Sequence, residues 1–349
     1  MLAQVTHILG LTYLRRVRLL PVSGRVLVQP GQHVNASDVV AEAEMATRHM
    51  LLDIRRSLGF QRVDETERAI VRHEGDKVAE GDVIAESGGL FARIVRAPTN
   101  GKVVMVSGGR VLMEVDNKPV QVMAGIPGTV VEIYPERGAA VENNGALIQG
   151  AWGNNRVGDG LMVAMINTPE AELTRGMMEV SLRGAVLVSG HVEDPEVLRI
   201  ANTLPLRGLL ISSMSSDLAT LAAGLDFPVI VLEGFGRIPM DDTAFKLLTS
   251  SDKRDVSISS AFNLAAGDRP ELFIPLPSLG QTSPETAYFS VNQTVRIQGA
   301  PYQGKIGVIV QIHPGLTILP NGVRAPAADV RLEKDTQVII PLANLEVIE

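Results

Sequence analysis

The chain has 349 residues, 45% of them apolar, 20% charged and 4% aromatic, with a formal net charge of -7. That length accommodates two or three domains, each with its own core, and the acidic balance argues against a generally basic nucleic-acid binder and against a disordered chain. The absence of cysteine excludes disulfides, thiolate zinc sites and cysteine nucleophiles.

The opening stretch, MLAQVTHILGLTYLRRVRLL, places its arginines after a short apolar run, with no small-residue cleavage site behind them. This order reads as folded cytoplasmic chain and not as an export signal. No window of 18 consecutive apolar residues occurs, so no membrane span is expected.

Internal repetition follows. VLVQPGQHVNASDVVAEAE from Val26 and AIVRHEGDKVAEGDVIAES from Ala69 superimpose, with Gly31, Val34, Asp38, Val39 and Glu42 meeting Gly75, Val78, Asp82, Val83 and Glu86. A looser third copy is expected in GTVVEIYPERGAAVENNGALIQG, through Gly138, Val141, Gly145 and Leu147. Each copy predicts short strands joined by tight turns in which glycine supplies φ > 0. Between the first two copies, Leu51, Ile54 and Leu58 are spaced i, i+3, i+7, which predicts an amphipathic helix over about residues 45–58 with Arg48, Arg55, Arg56 and Arg62 on its polar side.

The PGxxV and EGDxVxxGDVIA turns and the RAPTNGKV strand (Arg96–Val103) resemble the barrel-sandwich hybrid of biotinyl and lipoyl carrier domains, over roughly residues 21–155. The resemblance implies a hairpin tip about six residues before the arginine of the RAP segment, where a carrier presents its lysine. Here that place holds Leu90, with Phe91 beside it, and neither side chain forms an amide with biotin or lipoate. Lys102 falls inside the next strand. No covalent cofactor is therefore expected, and Leu90 and Phe91 are either partner contacts or packed against a neighbouring domain. This first domain is expected over residues 1–157.

From about Gly158 the period changes. GAVLVSG is an apolar run suited to a strand buried on both faces. Asp194 as N-cap and Pro195 at the first helical position open a helix with Val197, Ile200, Ala201 and Leu204 on one side. RGLLISS, FPVIVLEGFG and RDVSISS read as further strands, separated by helices around residues 218–224 and over DDTAFKLLTSS. Strands alternating with helices predict right-handed crossovers and a small parallel α/β domain over residues 158–285.

In such sheets ligands lie at the carboxyl ends of the strands. That rule selects two loops as ligand-binding candidates: Ser212, Ser213, Ser215, Ser216 and Asp217 in one, and Glu233, Gly234, Phe235, Gly236 and Arg237 in the other. Neither a G-x-G-x-x-G turn nor a P-loop is present, and the serines serve equally as plain helix caps. No nucleophile elbow surrounds any serine, and the six histidines show no metal-ligand spacing, so no catalytic or metal residue is assigned.

The last segment, residues 286–349, carries Val295, Arg296, Ile297, Gly299, Pro301, Tyr302, Gly304, Gly307 and Val308, and closes on Pro341, Asn344, Leu345 and Val347. These positions resemble the KOW segment of SH3-like barrels in transcription elongation factors and ribosomal proteins. Alternating Val295, Ile297, Val308 and Val310 are expected to fill the barrel. The resemblance implies binding to RNA, polymerase or another protein, with Pro301, Tyr302 and Lys305 on the contact loop. From Val291 onward five basic residues face five acidic ones, which supplies little phosphate attraction and ranks protein binding above RNA binding.

The expected whole is a multi-domain, mainly β chain with one α/β domain. It reads as a non-catalytic binding or scaffold protein of a larger complex, of the kind that serves transcription or translation. The alternative is a small-molecule or anion-binding α/β domain, enzymatic or not, supported by two β domains. A homo-oligomer is compatible with the number of sheet edges that need covering.

Overall fold

A computed structural model describes residues 2–44, 48–88, 92–115, 119–262, 268–282, 286–332 and 336–348, with only the backbone described for residues 2–4, 286 and 287. Strands hold 46% of the chain and helices 15%. The fold is mainly β and has several sheets, one of them mixed. The chain divides into two compact units, one formed by Met1–Leu19, Val26–Val40 and Met123–Glu349, the other by Leu20–Arg25 and Ala41–Val122.

In the first unit, the strands Val157–Ala164, Ala185–Ser189, Gly208–Met214 and Val229–Phe235 lie side by side in chain order and run parallel. Alternate residues point to opposite faces. Leu187, Leu209, Ile211, Val229 and Val231 pack with Val197, Leu198 and Ala201 of the helix Pro195–Thr203 and with Leu218 and Ala222. Val186, Val188, Leu210, Ile230 and Leu232 pack on the other side with Met240, Ala244 and Leu248. Right-handed crossovers that all step in one direction place their connections on one face, and the helix Asp242–Ser250 covers the other. The expected caps are present: Asp194 accepts from the Glu196 amide, and Asp241 accepts from the amides of Thr243 and Ala244.

The fourth expected strand, Asp255–Ser259, is not parallel. It pairs antiparallel with Val157–Ala164 and with Glu271–Pro275, where it begins an antiparallel half of the same sheet. That half continues through Gly138–Gln149, Gly128–Tyr134 and His33–Val34, with Ile8–Leu19 also on Gly138–Gln149. Antiparallel neighbours need no crossover helix, so no helical period marks this half in the sequence.

The first two repeats are real, and each recurs with its own set of main-chain bonds. In one, Gly31 N–H donates to Val130 O, Asp38 N–H to Asn35 O, and Ala124 N–H to Asp38 O; in the other, Gly75 donates to Val103, Asp82 to Ala79 and Ala97 to Asp82. The Asp38 and Asp82 carboxylates accept from the amides of Asn35 and Ala79. A Cβ on Gly128 or on Gly101 would stand 2.3 Å from the carbonyl oxygen of Glu142 or Glu114, which explains glycine at the start of both strands. The two copies are nested in the chain. Along the chain, residues 41–123, which contain the whole inner copy, correspond to residues 85–96 of the inner copy itself.

This corrects the third repeat. Gly128–Tyr134 and Gly138–Gln149 form the closing hairpin of the outer copy, equivalent to Gly101–Ser107 and Arg110–Val115. Glycine-bearing turns at similar spacing imitate a further copy. The helix expected over residues 45–58 is also corrected. Among its described residues, Arg48–Asp53 is a strand on Arg110–Val115 and only Ile54–Leu58 is helical, with Asp53 as its cap. Cross-strand pairing of Met50, Leu51 and Leu52 outweighs the helical spacing.

At the C-terminal end, Thr294–Ile297, Ile306–Ile312, Ala327–Arg331 and Gln337–Pro341 form a continuous antiparallel run, and Leu345–Ile348 returns beside the first. Leu2–Thr6 joins this sheet parallel to Leu345–Ile348. Val5, Val295, Ile297, Ile309, Val330 and Val347 form its core. Ile309, not Val308 or Val310, points inward, because Gly307 pairs with the buried Val295 and Ile309 with the buried Val330, which puts the odd-numbered residues of this strand on the core side.

Candidate functional site

The polar side chains of the α/β part converge where expected, beyond the carboxyl ends of the parallel strands. After Ala185–Ser189 the chain turns at Gly190, where a Cβ would stand 1.7 Å from Ala171 O. This close approach lets His191 exchange main-chain bonds with Ala171 and Leu173. The His191 Nδ1 lies 2.9 Å from Ser213 Oγ. Ser213 Oγ donates to Ile238 O at 2.8 Å and accepts from Ile238 N–H at 3.2 Å. With the hydroxyl proton directed at that carbonyl, the imidazole Nδ1 carries the proton and donates to Ser213. Burial lowers the His191 pKa, and Arg237 lowers it further against Glu172 and Glu193. Arg237 itself is paired with Glu172, with Glu193 4.0 Å away.

Ser213 is thus a buried bridge between strand and loop, and it lacks the free hydroxyl of a nucleophile. Ser212 is equally buried, while Ser215 is half-buried and Ser216 and Asp217 are exposed in a short turn of 3-10 helix. The serine group is therefore divided between the strand interior and the surface. In the second loop, Gly234 and Gly236 adopt φ of 110° and 105°, with nothing within 4 Å of the side a Cβ would occupy. Phe235 meets Trp152 edge-on at 6.0 Å.

Glu233 does not face this loop's surface. Its Oε2 lies 2.5 Å from Arg296 Nη2, on the C-terminal sheet, and its Oε1 accepts from the Asp241 amide at 2.9 Å. Arg296 also approaches Glu346 at 3.8 Å, and Glu346 is held in addition by Arg269 at 2.7 Å, by the Thr6 hydroxyl and by Gln298. Two buried carboxylates share one guanidinium. Burial pushes Glu233 up in pKa, and Arg296 opposes this only in part. Burial acts on Glu346 too, but Arg296, Thr6 and Arg269 together hold it below the ordinary carboxylate range. A second buried cluster lies in the mixed sheet, where Arg16 grips Glu271 at 2.6 to 3.1 Å and Arg18 stands 3.5 Å from it. There too the arginines outweigh burial and keep Glu271 low.

The contact loop expected at Pro301, Tyr302 and Lys305 is drawn into the same region. A Cβ on Gly304 would stand 2.8 Å from Ile238, and Tyr302 packs half-buried on the C-terminal core with Lys305 Nζ 5.8 Å from its ring centroid. The structure therefore brings two separately selected loops together through Ile238. Leu90 and Phe91 lie outside the described residues. His191, Glu172, Arg296 and Glu346 were not legible as site residues. The only sequence signal for His191 was its place directly after the first apolar strand. Among the described residues, no helix is long and apolar enough to cross a membrane, and no cluster of metal-ligating side chains occurs. The chain matches no protein-family model and no curated protein.

Proposed function

We propose that this chain is a non-catalytic binding or scaffold protein that works within a larger complex. The observation that carries the reading is the Glu233–Arg296 pair, with Ser213 bonded to Ile238: side chains that would serve a ligand at the carboxyl ends of the strands are satisfied by the protein's own C-terminal sheet and loops. The nested copies fit the barrel-sandwich hybrid without an acceptor lysine, and the C-terminal antiparallel run fits a KOW-type barrel, both of them modules of larger assemblies. Arg296, one of the few basic residues of that barrel, is directed at Glu233 and not at solvent, which favours a protein partner over RNA.

A second reading, an anion or small-molecule site, draws on the open backbone at Gly234 and Gly236 beside Arg237. Thermal unfolding with a panel of inorganic phosphate, mononucleotides and dicarboxylates separates the two. The scaffold reading expects no shift in Tm. A saturable rise that disappears in Arg237→Ala would overturn it.

A further inference from the structure

The two nested copies allow a comparison of equivalent positions within one chain. In the outer copy, one cross-strand row of the sheet reads Val17, Ala140, Glu132, with Val17 and Glu132 exposed and Ala140 buried. The equivalent row of the inner copy reads Leu51, Leu112, Met105. The outer copy has Ala140 and Glu132 where the inner has Leu112 and Met105, so the fold does not demand large apolar side chains at those two places. Leu51 is nevertheless 54% exposed and Met105 45% exposed, and Leu51 sits on an edge strand. Among the described residues, Arg48–Asp53 pairs with Arg110–Val115 alone and presents its other edge unpaired. No proline or lysine interrupts this strand, and its charged residues, Arg48 and Asp53, stand at its two ends and leave the apolar middle unguarded.

We infer that Arg48–Asp53 pairs antiparallel with the same strand of a second copy of this chain, about a two-fold axis that passes through Leu51 perpendicular to the sheet. Such an axis keeps the same face upward in both copies, so it pairs residues whose numbers sum to twice 51. Leu51 then meets Leu51 of the second copy, and the band Met105, Leu112, Leu51 continues unbroken across the axis. His49 stands opposite Asp53 of the second copy. Within each sheet Asp53 lies beside Arg110, and His49 beside Glu114, which lies beside Lys102. Crossing the axis on either side of the apolar band, the order is arginine, aspartate, histidine, glutamate, lysine. Opposite charges alternate, and the imidazole has a carboxylate on each side. A self-complementary edge of this kind is what an isologous dimer requires, and each favourable cross-strand pair adds to it.

Sedimentation velocity on the full chain tests the inference. Wild type is expected at twice the 37.4 kDa chain mass. Leu51→Lys and Leu51→Asp, which put like charges face to face on the axis, are each expected at one chain mass with unchanged circular dichroism. An equimolar mixture of the two variants restores the dimer, because Lys then meets Asp. A monomeric wild type, a Leu51→Lys variant that keeps the wild-type mass, or a mixture that stays monomeric would overturn the proposal.

Discussion

Arg296 and Glu233, 63 positions apart in the chain, hold their side chains 2.5 Å from each other at 3% exposure each. This contact ties the C-terminal sheet to the end of the fourth parallel strand, Val229–Phe235. Removing one partner of a buried pair leaves an uncompensated charge, so Arg296→Met, which strips the cation from Glu233 and loosens Glu346, should cost about 3–5 kcal/mol. Glu233→Gln retains an acceptor for the Asp241 amide and relieves a carboxylate already strained by burial, so it should cost clearly less. Urea midpoints of the two variants and of the double variant check this. Equal losses in both single variants would contradict it.

The acid limb of stability follows from Glu271 and Glu346. Both have pKa values held below the ordinary glutamate value of about 4.3. The folded state therefore binds fewer protons than the unfolded chain as the pH falls. The stabilisation is complete above the unfolded value and is lost as the pH drops through it toward the folded values. Glu233, which is raised, acts with the opposite sign: its burden is greatest near neutrality and eases as it protonates. Stability measured from pH 7 to pH 3 should fall steeply below about pH 4.3, and Glu271→Gln should flatten that fall while lowering stability at pH 7.

Ser213 is predicted to act through packing and bonding. Ser213→Ala leaves the Ile238 carbonyl and amide and the His191 Nδ1 without their partner, which should cost about 1–3 kcal/mol. The His191 pKa, lowered by burial, remains below its unfolded value. The folded protein thus loses stability as the pH falls below about 6.5 toward the folded value. Histidine ring signals followed by NMR should show His191 titrating below the ordinary histidine value of about 6.5 in wild type.

The nested copies should respond separately. Asp82→Ala removes the acceptor of the Ala79 amide in the inner copy, and Asp38→Ala removes that of Asn35 in the outer one. Each should cost about 1 kcal/mol, as a lost turn hydrogen bond does. In hydrogen exchange, Asp82→Ala should speed the Ala97 amide and leave the Ala124 amide unchanged, and Asp38→Ala should do the reverse. Parallel acceleration of both amides would mean that the two copies open as one.

Much of this fold was legible because its signals are local. Asp194 followed by Pro195 announced a helix start, the GAVLVSG, GLLIS and PVIVL runs announced buried strands, and the Gly31 and Gly75 turns announced the repeat. What escaped depends on distant partners. Arg48–Asp53 became a strand only because Arg110–Val115 lies beside it. The orientation of Asp255–Ser259 was set by Glu271–Pro275, and the nesting of the copies showed only when Ala124 and Ala97 were seen to play one role. The site residues divide in the same way. Glu233 and Ser213 were selected from their place after a strand, yet their partners Arg296 and Ile238 come from other segments and leave neither side chain free.

The proposal of a binding or scaffold protein is put to the test by purifying the tagged chain from its native cells at low and high salt, with and without nuclease. A protein partner in stoichiometric amount that survives both treatments is expected. Recovery of the chain with nucleic acid alone, lost on nuclease treatment, or of the chain with no partner at all, would contradict it.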